Sequence, residues 1–577
     1  NGTDGDRRFD AGLWAADLHM AQGRFGQARA IVAAIQTRCR EDDAELRGDL
    51  ARLLHLADRF SYDFDAALRH LDEAARWYET SGSVFGRSAV LTNRAELLAW
   101  TDPEAAVEAA TEAIDVQQEL GALHELGKAY TALALAQVRM GLLQEAAASL
   151  DLACDALERA RYRSGRARAE LVRAFVHARR GLPAKAAEAV RAAVRGLVAT
   201  EVYPTLILLA ARLLDVLGVS DPMVTDAARH ARSVLDGDHT EVTAARVTEL
   251  LGMDPPSLFR EALDHPDAAA GFYNRNVRVG PVLVRAPIAG ADGMDLRIWP
   301  EHEVLAALAP HVECAPRLRF TSVDPPFQVH DFVDGTVLDA LAPRGVRVPA
   351  FVLHDVVALF RSLAEIPFRE LPPVPFDWAA DGDTVSFARR LSAITGHVHA
   401  RFRDSFAAVF AGLGVPVAPL QPVHWETLTS RPFCLVHADV HRKNMILEDG
   451  RTFFLDWELA LWGDPVYELA VHLHKMAYFG NERDALLRAW LDVMTPAMVR
   501  SWETDLETYL AHERVKSAIV DTVRYTQLIA SGELPPEEEH HLLEKLTGKL
   551  NSAGRYWGWS EPIEQARTEY VVRRHRA

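Results

Sequence analysis

A chain of 577 residues is too long for a single hydrophobic core, and its 49% hydrophobic and 25% charged residues are ordinary globular material, so roughly two to four domains are expected. The formal net charge of −18 argues against a nucleic-acid backbone as the main partner, because phosphate contacts draw on an excess of Lys and Arg, although a local basic patch could still hold nucleotide phosphates. Cys39, Cys154, Cys314 and Cys434 form no close pair, which disfavours a disulfide framework or a zinc site and fits a reducing cytoplasm.

No apolar run reaches the length of a membrane span, since the segment from Thr205 to Gly218 is broken by Arg212 and Asp215. Asn1 is followed closely by Asp and Arg, so no signal peptide is visible, and a first residue other than Met suggests that the chain continues upstream.

Small residues recur at Ala28, Ala67, Ala106, Ala146 and Ala186, spaced by 39, 39, 40 and 40 positions. The surrounding text rhymes: GRFGQARAIVAAI, YDFDAALRHLDEA, TDPEAAVEAATEA, GLLQEAAASLDLA and GLPAKAAEAVRAA. Each is a turn followed by an Ala-rich amphipathic helix, and Ala89 to Trp100 and Gly127 to Met140 supply helices between them. Gly-x-Phe-x-x-Ala at Gly23 to Ala28 brings this region closest to tetratricopeptide-type repeats, which it resembles over residues 10 to 218. The resemblance implies a stacked superhelix whose concave groove receives a peptide or protein; a scaffold that only props up its neighbour is the alternative. Residues 219–265 read as a helical linker with breakers at Asp221-Pro222, Asp236-Gly237-Asp238 and Asp254-Pro255-Pro256, and the boundary falls close to Gly252.

From Ala270 strand signals replace helix periodicity. GFYNRNVRVG and PVLVRAP read as paired strands turning at Gly280-Pro281, and a loop follows from Ala289 to Gly293. A helix opens near Pro300, and Phe327 to Asp331 forms a further strand ending in a hinge that Gly335 releases. Val348 to Ala364, Thr384 to Phe410 and most of Val466 to Tyr570 read as amphipathic helices. Residues 266–334 therefore read as a strand-rich segment and residues 335–577 as a large, mostly helical one.

The chemistry is concentrated in LVHADVHRKNMILEDGRTFFLDWELALWGDPVYELA, Leu435 to Ala470. A short strand runs into His437, Asp439 and Asn444. A hairpin turning at Glu448-Asp449-Gly450-Arg451 then delivers Asp456 at a strand end. Phosphoryl transfer asks for a carboxylate facing an acceptor hydroxyl and hard oxygen ligands for Mg²⁺. Asp439 suits the first role, Asn444 and Asp456 the second, and His437 would brace the loop.

The pattern His-x-Asp-x-x-x-x-Asn, then Leu-Asp-Trp-Glu and Gly-Asp-Pro-x-x-Glu-Leu-Ala, resembles the aminoglycoside phosphotransferase and choline kinase family, distant relatives of protein kinases. The resemblance implies, after the helical repeats, an α+β two-lobed kinase-like fold with its small lobe in 266–334 and its large lobe in 335–577, ATP with Mg²⁺, and a hydroxylated acceptor. By position, Asp439 matches the catalytic base, Asn444 and Asp456 the metal ligands, and Asp464 the acid opening the next helix. Ala438 replaces the usual Gly or Asn, and Glu468 the usual Asp of the Asp-Leu-Ala ending. In the small lobe the resemblance gives Arg285 the α- and β-phosphates, Glu301, or else Glu303, as its partner, and Asp331, Phe332 and Val333 the adenine edge.

Glu458, Glu468, Glu482 and Asp484 could attract a cationic acceptor, and Trp457 and Trp462 could cage a quaternary ammonium group; solvated faces and aromatic core are the plainer readings. Neither the His472 and His474 pair nor the His540 and His541 pair has the spacing of a zinc helix. The leading expectation is a small-molecule kinase acting on an aminosugar, a choline-like alcohol or another metabolite. A protein or peptide kinase fed by the repeats and a silent nucleotide-binding scaffold are the alternatives.

Overall fold

The computed structural model describes residues 4–40, 42–265, 269–270, 274–288, 296–420 and 425–575. The expected 289–293 loop and the start of the first small-lobe strand lie outside them. Residues group into two units: 1–268 with 276–286 and 318–330, and 269–275 with 287–317 and 331–577.

Among the described residues fourteen helices open the first unit: Asp4–Ala21, Phe25–Gln36, Ala44–Phe60, Phe64–Ser81, Val84–Thr101, Pro103–Leu120, Leu123–Met140, Leu143–Arg159, Arg163–Arg179, Pro183–Thr200, Pro204–Leu217, Pro222–Val234, Thr240–Leu251 and Pro255–Asp264, here α1 to α14. The recurring alanines all fall in the first turns of even-numbered helices and are buried, Ala67, Ala106, Ala146 and Ala186 completely. A methyl group at that contact lets neighbouring helices approach closely, which is why the spacing repeats. Asp43, Asp63, Asp102 and Asp221 cap four of the helices by accepting from backbone N–H groups.

The array closes on itself. Tyr203 N–H donates to the Ala21 carbonyl at 2.6 Å, and Gly26 N–H donates to Asp236 Oδ2 at 2.9 Å, joining the α1–α2 end to the turns flanking α11 and α12. Helices in 222–264 add Val224, Ala228, Val247 and Leu250 to the core that fills the interior.

Most of the strands Asn274–Val279, Val282–Pro287, Pro326–Asp331 and Leu318–Val323, in that spatial order, fall in the same unit. The 318–323 strand has no counterpart in the sequence reading. It lies against α9, α10 and α11, and Phe327 stacks on Phe259 of α14 with centroids 4.6 Å apart. Val277, Val284, Phe320, Phe327 and Val329 belong to one buried cluster with the helices. Helices and sheet thus share a core.

In the second unit, helix Glu301–Leu308 starts where Pro300 predicts. The chain leaves the 326–331 strand through Gly335, whose φ is +122° and where an added Cβ would sit 2.4 Å from the Leu447 carbonyl oxygen, so only glycine fits. Strands Thr336–Val337, Met445–Glu448 and Arg451–Phe454 form one small sheet, and Cys434–Val436 pairs with Leu461–Gly463 in another. Helices Ala350–Glu365, Thr384–Phe402, Pro465–Met476, Gly480–Val493, Trp502–Ser531 and Pro536–Gly554 surround them. The expected 384–410 helix breaks after Phe402 and resumes at Ala407–Gly412. No helix among the described residues is long and apolar enough to cross a membrane.

Candidate active site

The Cys434–Val436 strand is wholly buried and ends at His437, beyond which the backbone turns sharply. Ala438 has a φ of +59°, a left-handed conformation that costs a residue with a Cβ about 1–2 kcal/mol, which explains why Gly or Asn would be easier there. Its N–H is held by Glu468 Oε2 at 3.0 Å from helix Pro465–Met476. The kinked loop is fixed further by His472, which bonds the Val440 carbonyl through Nδ1 at 2.8 Å and the Tyr478 hydroxyl through Nε2 at 3.0 Å. His437 is fully buried against the Trp457 ring, with centroids 4.2 Å apart, and burial lowers its pKa to about 4, so the brace is neutral.

The loop delivers Asp439, which is 8% exposed. Asn444 Nδ2 donates to Asp439 Oδ2 at 2.9 Å, and the Lys475 ammonium binds Oδ1, with His441 Nε2 3.5 Å from that same oxygen. Burial pushes the Asp439 carboxyl up, but Lys475 and His441 outweigh it and hold it well below the usual carboxylate range. Asp439 is therefore a buried, ionised carboxylate at neutral pH.

From Asn444 the hairpin follows in the expected register, Met445 opposite Phe454 and Glu448 opposite Arg451, turning on Asp449 and Gly450, both left-handed. Leu455 N–H donates to the Asn444 carbonyl at 2.8 Å, which brings the end of the hairpin back to the loop. Asp456 follows with a φ of +64°, a second strained residue at the place where the chemistry is expected. Glu301 Oε1 accepts from the Trp457 N–H at 3.1 Å, so the first turn of helix 301–308 is tied to the residue after Asp456.

Asp439, Asn444, Asp456 and Glu301 are thus joined by short contacts or direct chain linkage. Arg285 lies part-buried on the Val282–Pro287 strand of the first unit. Asp331, Phe332 and Val333 are part-buried where the Pro326–Asp331 strand ends, and Asp331 N–H donates to the Arg317 carbonyl at 2.8 Å. Trp457 is fully buried, with Nε1–H donating to the Phe454 carbonyl at 2.8 Å, so its indole serves the core. Trp462 packs on Phe368, and Glu458 is buried. Asp464 is also fully buried: it accepts from Val466 N–H at 2.9 Å, Tyr509 OH at 2.8 Å and Arg431 at 2.5 Å, capping helix 465–476. These bonds give Asp464 an anchoring part.

Lys475 and the grip of Glu468 on Ala438 were not foreseen. The available signal was that the two residues are seven apart on one helix and so share a face, while what that face meets depends on the tertiary fold. Lys475→Met is expected to raise the Asp439 pKa, moving the acid limb of the pH profile for basal ATP hydrolysis to higher pH, whereas Lys475→Arg should largely keep it. An unmoved limb in Lys475→Met would show that the ammonium does not govern the carboxylate.

Among the described residues no group of three or more His, Cys, Asp and Glu gathers for a metal. The pair Asn444 and Asp456 offers two hard oxygen donors, which suits Mg²⁺, an ion that normally takes one or two protein ligands and completes its shell with water and phosphate.

Residues 266–502 match the model of the phosphotransferase enzyme family, APH. Similar solved structures include a choline/ethanolamine kinase family protein from Mesorhizobium loti, 16% identical over 55% of this chain and 99% of that one, with a TM-score of 0.32. The macrolide 2′-phosphotransferase MphH from Brachybacterium faecium is 17% identical over 51% of this chain and 97% of its own, with a TM-score of 0.29. A thermostable mutant of the aminoglycoside phosphotransferase APH(4)-Ia, seen in a ternary complex with AMP-PNP and hygromycin B, is 16% identical over 55% and 97%, with a TM-score of 0.32. A comparison with curated protein sequences finds no match. Residues 266–502, after the stacked helices, thus carry a domain of the phosphotransferase enzyme family, APH.

Proposed function

We propose that the protein transfers the γ-phosphate of ATP, with Mg²⁺, to a hydroxyl group of a small molecule. One observation carries this reading: Asp439 is held ionised between Asn444 and Lys475 on a loop to which the hairpin returns Asp456. Asp439 orients the acceptor hydroxyl and takes its proton as the oxygen attacks. Lys475 keeps that carboxylate ionised and aimed. Asn444, whose amide orientation is set by its donation to Asp439, and Asp456 hold the metal. When bound, Mg²⁺ supplies neutralisation of the phosphate charge. Glu301 steadies the Asp456 turn, and the backbone of Asp331 to Val333 meets adenine.

A protein or peptide substrate recruited by the helices is a second reading, favoured by the fused helical repeats; the Gly463-Asp464-Pro465 ending favours the small-molecule reading. The test is incubation of the full chain with γ-labelled ATP, a panel of aminosugars, choline-like alcohols and other hydroxylated metabolites, and peptides captured by the chain. Label in a small molecule is the expected result. Label in peptide alone would favour the second reading, and label in neither would leave a nucleotide-binding scaffold.

A further inference from the structure

The chain draws its positive charge almost wholly from arginine: of its 63 Lys and Arg residues, seven are lysine. Five of those seven, Lys443, Lys475, Lys516, Lys545 and Lys549, come together from the loop that carries Asp439 and from helices 465–476, 502–531 and 536–554. The Lys475 ammonium binds Asp439 Oδ1, and Arg344 donates to the Lys475 carbonyl at 3.0 Å. The neighbouring His474 meets Ser517 Oγ at 3.1 Å, which joins the end of helix 465–476 to helix 502–531 beside Lys516. Lys549 reaches across to Asp521 of that helix. His474 accordingly feels Lys549, Lys516 and Lys475 together. Lys545, one turn before Lys549 on the same face, lies in the field of Lys443, Lys549 and Arg344.

Three of the five are matched: Lys475 by Asp439, Lys516 by Glu513 at 2.8 Å and Lys549 by Asp521. Lys443 and Lys545 are exposed and form no ion pair among the described residues, so the group keeps a positive surplus that nearby Asp339 offsets in part. The acids expected to draw a cation do not balance it. Glu468 holds the Ala438 N–H, Glu482 accepts from the Val348 and Phe479 N–H groups at 2.9 and 3.0 Å, and Glu458 is buried. Of those four acids, Asp484 alone is exposed. Lys475 and the metal-assigned Asn444 take different oxygens of Asp439, Oδ1 and Oδ2, so Lys475 approaches the carboxylate by the oxygen turned from the metal ligand. A lysine ammonium is a compact point charge on a flexible stem, suited to an anion that arrives on a small molecule.

We propose that the acceptor is an anionic hydroxylated small molecule, its carboxylate or phosphate lying on Lys443 and Lys545 while its hydroxyl faces Asp439. This rests on the phosphotransfer reading and puts a hydroxy acid or a sugar phosphate in place of an aminosugar or a choline-like alcohol. Lys443 stands four residues after Asp439 on the same loop, and Lys545 shares its field, so both charges are beside the base.

The probes are glucose, glucosamine, glucuronate and glucose 6-phosphate, one ring in four charge states, titrated calorimetrically into the full chain with magnesium-ADP in place. At least one of the two anions should bind about tenfold or more tighter than glucose, the effect of one charge-assisted hydrogen bond. Glucosamine should bind more weakly than glucose. A lead for glucuronate identifies a carboxylate, and a lead for glucose 6-phosphate a phosphate. Lys545→Met should remove the preference and Lys545→Arg largely keep it, both with unchanged affinity for magnesium-ADP. Binding of neither anion, or glucose or glucosamine binding as tightly as the better anion, overturns the proposal whichever variants fold. So does a loss of ADP affinity in Lys545→Met, which would assign the lysine to the nucleotide. These titrations judge the charge of the acceptor by binding alone, whereas the phosphotransfer reading stands or falls on transfer of label.

Discussion

Asp439→Asn is expected to cut phosphoryl transfer by roughly 10²- to 10⁴-fold while leaving nucleotide affinity unchanged. The replacement is isosteric, and its carbonyl oxygen can still accept from Asn444 Nδ2, so the loop keeps its shape. What disappears is the negative charge that receives the acceptor proton, and Lys475 then faces a neutral amide. Asp456→Asn should fail differently, with the apparent affinity for magnesium-ATP falling along with the rate, because that carboxylate is assigned to the metal. Single-turnover transfer from labelled ATP, run beside nucleotide displacement titrations, separates the two. Retention of more than about a tenth of the wild-type rate by Asp439→Asn would remove the residue from the base role.

The largest stability effect is expected at Arg431, whose side chain is fully buried between Asp464 and Asp505. It also donates to the Arg500 carbonyl at 3.0 Å, and Asp505 accepts from Thr429 N–H at 2.9 Å. Arg431→Met leaves two carboxylates in the core without their cation, a loss of about 3–5 kcal/mol. The loss should depend on pH. Even with Arg431 present, burial pushes Asp464 up to about 6, and removing the guanidinium moves it higher. An acid whose folded pKa is raised binds a proton that the unfolded chain has released, so stability falls as pH rises through that window. Urea melts should therefore show the variant worst at about pH 8 and partly recovered at about pH 5, beyond any change in the wild type. An equal deficit at both values would mean that the loss is packing, not charge. Activity should fall too, since Asp464 caps the helix that carries Glu468 and Lys475 to the loop.

The residues whose partners are near in sequence were legible. Ala28, Ala67, Ala106, Ala146 and Ala186 announce buried helix contacts because one supersecondary unit repeats, and the Asp439, Asn444 and hairpin spacing is local geometry. Contacts fixed by distant packing were not. Lys475 meets Asp439 from 36 residues away and Arg431 meets Asp505 from 74, and nothing in a composition or a period states such a meeting. The 318–323 strand, LRFTSV, escaped because Arg319, Thr321 and Ser322 interrupt its apolar run, and Thr321 and Ser322 prove to be buried. Trp457 beside Asp456 invited a cage for a cation, whereas the fold spends its indole on packing against His437.

The shared core of helices and sheet bears on how the polypeptide acquires its shape during synthesis. Residues 1–264 leave the ribosome before any strand of the sheet, so a finished helical surface can receive Phe320, Phe327 and Val329 as they emerge. A polypeptide begun at residue 266, where the family match starts, would present those side chains and their strand edges to water and to one another. The helices thus supply the surface on which the sheet completes its core.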